Sequence, residues 1–127
     1  MADINYLAVL VAIVVNAALG ALWYSPLLFL RPWARAAGRE PVQNPTVYAA
    51  TFASAIAAAL AFGWWAGPEP SIGEAILDGL VVGLFFVAGS LALHYAFAGR
   101  SLTLWLIDSG FQVARFVLFG VVFGLMG

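Results

Sequence analysis

The chain has 127 residues, 65% of them hydrophobic and 9% charged, with a formal net charge of −1. Those proportions lie outside the range of soluble domains and leave a lipid bilayer as the solvent in which such a chain folds. The lack of cysteine excludes disulfides, thiolate nucleophiles and zinc-thiolate or iron–sulfur sites, and a single histidine excludes a poly-histidine metal or haem centre. The five arginines are mostly gathered in one short loop and form no broad basic face, so nucleic acid is not expected as a partner. No cofactor or metal is expected either.

Residues 4–24 read as a first membrane span, closed by Trp23 and Tyr24, an aromatic pair of the kind that settles at the headgroups. Asp3 stands where a secretory signal would carry a basic residue, so this segment is expected to be retained as a helix. Ser25 and Pro26 read as an N-cap followed by proline at the first helical position. They open an amphipathic helix over about 26–38. Arg31, Arg35 and Arg39 fall along one side of it, with Leu27, Leu30, Trp33 and Ala37 mainly opposite, as in a helix lying in the interface plane. Pro32 is expected to break it in two.

A turn over 41–45 leads to the second span, 46–66, in which Ala49, Ala53, Ala57 and Ala61 make a smooth stripe suited to close packing in lipid. Trp64 and Trp65 mark the opposite interface, followed by a tight turn through Pro68, Glu69 and Pro70. The third span covers 72–97 and carries Gly79 and Gly83 at GxxxG spacing. The fourth covers 102–126 and carries Gly120 and Gly124 in the same way, a motif that chance often supplies in glycine-rich spans. The expected fold is an all-α integral membrane protein, one domain over 1–127 with four transmembrane helices and a short interfacial helix after the first. Threading four helices back and forth puts Arg31, Arg35, Arg39 and Arg100 on one side. The positive-inside rule then places both termini outside, which in a bacterium means the periplasmic face of the inner membrane. A weak internal echo links Ala21-Leu22-Trp23-Tyr24 to Ala92-Leu93-His94-Tyr95, each just before an arginine-bearing turn.

Ionisable groups inside a membrane face protein or water and call for a functional reading. Asp108, Gln112 and Arg115 share one face of the fourth span over two turns, and folding spans three and four about Gly99 brings Asp108 level with Ser90, one turn from His94. Asn16 lies at a similar depth on the first span. Asn16, Ser90, His94, Asp108 and Gln112 are therefore expected to converge, with Arg115 deeper. As a functional site, a histidine beside a carboxylate would respond to protons, and Arg115 would anchor an anion or substrate. As a structural one, the same groups would be interhelical glue, with Arg115 buried against Asp78. Glu74 and Asp78 have a second reading as interfacial acids at the N-terminus of the third span. Nothing arranges a nucleophile, base and oxyanion site, so no enzyme is expected.

The stretch Gly20-Ala21-Leu22-Trp23-Tyr24-Ser25-Pro26-Leu27-Leu28-Phe29, with Trp33 four residues on, resembles the opening signature of the bacterial membrane proteins grouped as domain of unknown function 1761. So does Gly99-Arg100-Ser101-Leu102 running into Leu106-Ile107-Asp108-Ser109-Gly110-Phe111-Gln112. In that family the position of Gln112 is often histidine. The resemblance implies a four-helix inner-membrane protein and supplies no activity, substrate or catalytic residue. Two functions remain open: transport or permeation by an oligomer lined with the polar cluster, and an accessory or assembly subunit docked on a larger membrane complex.

Overall fold

Four side chains start the four long helices by the same device. Asn5, Asn44, Ser71 and Ser101 each accept a hydrogen bond from the backbone N–H three residues on, at Ala8, Val47, Glu74 and Leu104, satisfying donors that open a helix without an intrahelical partner. The computed structural model describes residues 4–127, so Asp3, read above as an argument against a leader, lies outside the described residues. Those residues form helices and turns with no strand. Helix α1 is Tyr6–Trp23, α2 is Leu30–Ala37 and α3 is Pro45–Ala66. Helix α4, Ile72–Val81, passes through a π-helical segment, Val82–Ala88, into α5, Gly89–Phe97, and α6 is Leu102–Met126. Tyr6–Trp23, Pro45–Ala66, the continuous Ile72–Phe97 and Leu102–Met126 are long and apolar enough to cross a membrane. The fold is all-α and multi-pass, with spans that start and stop where the apolar runs do.

The segment after the first span departs from expectation. Ser25 does not cap a new helix: its Oγ donates to the Leu22 carbonyl at 2.7 Å and so closes α1. Residues 26–29 are turn, and α2 begins only at Leu30. Pro32 therefore falls in the first turn of α2, where the missing N–H costs nothing, and it does not break the helix. Gly38 ends α2 at φ +76°, a left-handed conformation that glycine adopts without a Cβ clash.

Every other helix touches α6. Its tightest neighbour is α4, and both GxxxG motifs lie in that contact. A Cβ on Gly79 would collide with the Phe116 carbonyl, and one on Gly83 would come within 2.8 Å of Val113 Cα. In return, a Cβ on Gly120 would strike the Ala75 carbonyl, and one on Gly124 would lie 2.6 Å from Ile72 Cα. Each helix lays its bare backbone against the other, where dispersion at close range replaces the hydrophobic effect that lipid cannot provide. On the other side of α6, Phe116, Phe119, Val122 and Phe123 pack with Ala8, Val9 and Ala12 of α1 and with Ala59 and Phe62 of α3 to form the core. Asn5 Nδ2 donates to the Met126 carbonyl at 3.0 Å and ties the start of α1 to the end of α6.

The alanine stripe of the second span is not the packing face. Ala49, Ala53, Ala57 and Ala61 are exposed, and α3 instead buries Ala55, Ala59, Phe62 and Gly63. A helix so rich in alanine offers several smooth faces, and the face buried is the one that carries Phe62, which packs into the Phe116, Phe119 and Phe123 cluster.

Candidate functional site

At the end of the bundle where α1 stops and α5 turns into α6, Asp108 collects three donors from three separate segments. The Tyr24 hydroxyl, just past α1, donates to Oδ1 at 2.6 Å, and the Trp33 indole N–H, on α2, donates to the same oxygen at 3.0 Å. The Tyr95 hydroxyl, on α5, donates to Oδ2 at 2.5 Å. Short O–H···O⁻ bonds of this kind are about twice as strong as neutral ones. All three partners are neutral, so none of them supplies a countercharge to the carboxylate, six residues into a spanning helix.

Local structure explains each donor. Tyr24 is aimed by the turn that Ser25 closes, and its ring is further held edge-on against Phe111 at 5.5 Å. Trp33 arrives because α2 packs on α6, and its ring meets Tyr24 at 88°. Tyr95 arrives by way of the π segment, whose wider turn closes i→i+5 and shifts the buried face by one residue. Side chains compensate the carbonyls this loosens: Ser90 Oγ donates to Phe86 O at 2.6 Å, and the Trp105 indole donates to Ala88 O at 3.0 Å. A further indole, Trp23 Nε1, donates to the Ile107 carbonyl at 2.9 Å and holds α1 beside Asp108.

The expected single cluster is divided in the structure. Asp108 meets neither Asn16, Ser90 nor His94: Ser90 serves the π segment, and His94 is exposed, about 100° around α5 from the carboxylate's partner Tyr95. Asn16 lies deeper and pairs elsewhere. Its Oδ1 accepts from Arg115 Nη1 at 3.1 Å, with both residues buried. The guanidinium turns to this neutral amide and to the faces of Phe116 and Phe119, at 4.8 and 6.0 Å, and not to Asp78, which is half-buried on α4. Between the two centres on α6, Ser109 Oγ, Gln112 Oε1 and Arg115 Nε are buried without a hydrogen-bond partner among the described residues. No group of three or more His, Cys, Asp or Glu able to hold a metal occurs among the described residues.

Of the residues assigned to the interface, Arg31, Arg35, Trp64 and Trp65 are exposed, whereas Trp23, Tyr24 and Trp33 turn their polar atoms inward to α6. Tyr95 was not among the expected site residues, yet the sequence carried a signal for it. The echo of Ala21-Leu22-Trp23-Tyr24 in Ala92-Leu93-His94-Tyr95 ends in the two tyrosines that grip opposite oxygens of Asp108.

The family model described as protein of unknown function (DUF1761) matches residues 7–124. The chain belongs to this family. The matched stretch takes in every residue of the Asp108 and Arg115 centres, so both lie within the family's own boundaries. No curated protein and no solved structure matches this DUF1761 member.

Proposed function

We propose that the chain is a small oligomeric transport protein of the bacterial inner membrane, without enzymatic activity, in which Asp108 bears the charge that the moving proton or solute engages. One observation carries this reading: a carboxylate on a spanning helix is held only by neutral donors, and those donors come from the end of α1, from α2 and from α5. A structural tie would be satisfied by an amide; a net charge in a membrane protein is the more expensive choice and marks a working group. Whatever occupies or neutralises Asp108 also acts on three segments at once, which is the coupling that a carrier requires. The arginine-rich end, with Arg31, Arg35, Arg39 and Arg100, is assigned to the cytoplasm, and the Asp108 centre would open toward that side.

The test is flux in proteoliposomes under an imposed pH or potassium gradient, read with an internal pH dye. The wild type should dissipate the gradient at least about tenfold faster than Asp108→Asn, which preserves shape and most hydrogen bonding while removing the charge. Equal rates in the two would remove the carrier reading. The accessory-subunit reading has its own support in the exposed alanine face of α3, an unused surface suited to another helix. Mass measurement of the native complex separates the two, since an oligomer of this chain alone supports transport and a complex with other subunits supports the accessory role.

A further inference from the structure

Asp108 lines a cavity of about 240 Å³ together with Tyr24, Trp33 and Pro41, and the surface of that cavity is almost wholly apolar. The two aromatic rings stand at 88° with their centroids 6.5 Å apart, so the cavity is an aromatic corner with one anionic group in it. Two of the three donors take Oδ1 and one takes Oδ2, and because all three are neutral none of them supplies a countercharge.

These walls select a ligand class. An anion is repelled, since no basic side chain lines this cavity. The neighbouring cavity, on the Tyr95 side, carries Arg100 and has the opposite sign. A hard metal ion needs six or more oxygen ligands, and a single carboxylate among aromatic rings and a proline does not provide them. A neutral solute leaves the charge uncompensated. An alkylated ammonium satisfies every wall, because its charge is diffuse and weakly hydrated, it pairs with the carboxylate, and its methyl groups lie on aromatic faces. We infer that the Asp108 cavity is a binding site for a small organic ammonium, with Asp108 as counter-ion and Tyr24 and Trp33 as cation–π walls. The inference rests on the reading of Asp108 as a working charge, and it names the class of what engages it. The ammonium can belong to a free solute or to a lipid headgroup, and both present the same chemistry.

The experiment is calorimetric titration of the whole chain in phosphatidylglycerol nanodiscs, which carry no ammonium headgroup, with choline and with 3,3-dimethyl-1-butanol, its uncharged isostere. Empty nanodiscs are the blank. Choline should bind at least about tenfold more tightly than the alcohol, the scale of one desolvated cation–π contact with its counter-ion. Asp108→Asn should abolish that preference. Trp33→Leu should weaken choline binding by about fivefold or more, and Trp33→Phe, which keeps a ring but loses the indole donor, by less. Equal binding of choline and the alcohol, or an unchanged choline affinity in Trp33→Leu, overturns the site even where Asp108→Asn does not fold. Repeating the titration in phosphatidylcholine nanodiscs identifies the source. A fall in choline affinity supports the site with a lipid headgroup as its occupant, and an unchanged affinity supports it with a free solute. Binding without flux would keep this site and remove the carrier reading; flux without binding would do the reverse.

Discussion

Tyr95 reaches Asp108 because the helix that carries it has been wound one residue wide. The buried edge of α4 runs through Ala75, Gly79 and Gly83, and in an unbroken α-helix it would continue to Ser90 and His94. The π segment closes five residues on, so the edge passes from Gly83 to Ala88 and then to Tyr95, leaving His94 outside.

Removing one residue from that segment should restore the α-helical path. Phe85 is 69% exposed, so its deletion disturbs little packing, and it should rotate α5 by about 100°, carrying Tyr95 away from Asp108. Tyr95→Phe should then cost about 1.5–3 kcal/mol of stability in the native sequence and close to nothing in the deletion variant. Unfolding in micelles measures both, and equal costs in the two backgrounds would show that the π segment does not set the register.

The glycine contacts between α4 and α6 give a second expectation. Gly79→Val and Gly120→Val each place side-chain atoms onto opposing backbone and should destabilise the protein by about 1–3 kcal/mol or more, while Gly73→Ala, with open space around its Cβ, should be nearly neutral. Comparable stability of all three variants would contradict the close approach.

Asn16→Leu should be among the most damaging substitutions in the chain. It strips the buried Arg115 guanidinium of its hydrogen-bonding side chain, for a loss of about 1.5–3 kcal/mol. Adding Arg115→Met should recover part of that loss, because the stranded charge is gone. A double variant no better than Asn16→Leu alone would mean that the pair is not coupled.

Orientation is open to direct labelling, since the chain has no cysteine of its own. A single cysteine at Glu69 should react with an impermeant thiol reagent in intact cells, and one at Glu40 only after permeabilisation. The opposite pattern would invert the topology.

The spans were legible because apolar length alone defines them, whereas the one cap read from the sequence, Ser25, closes α1 instead of opening a helix. Asp108 and Arg115 were legible as charges that lipid does not tolerate without a reason. Their partners were not. A wheel drawn with 3.6 residues per turn puts His94 where Tyr95 stands, and nothing in Val82–Ala88 announces a π turn. Trp23, Tyr24 and Trp33 looked like headgroup anchors, because a helix end and an aromatic ring carry the same pattern whether the polar atom faces water or a carboxylate. The packing face of α3 was ambiguous for a simpler reason: alanine every four residues marks more than one side of the helix, and large residues such as Phe52 and Phe62 stand on both the exposed and the buried side.

Helix α6 touches every other helix of the bundle and is also the last of them in the chain. During synthesis α1, α2 and α3 are made before the helix they lean on exists, and α4 lays out its glycines with no backbone to meet them. Until Leu102–Met126 follows, Trp33, Tyr24 and Tyr95 have donors without an acceptor, and the earlier spans have lipid in place of the phenylalanine core. The order of manufacture is the reverse of the order of dependence, so these contacts close together in one step when α6 arrives.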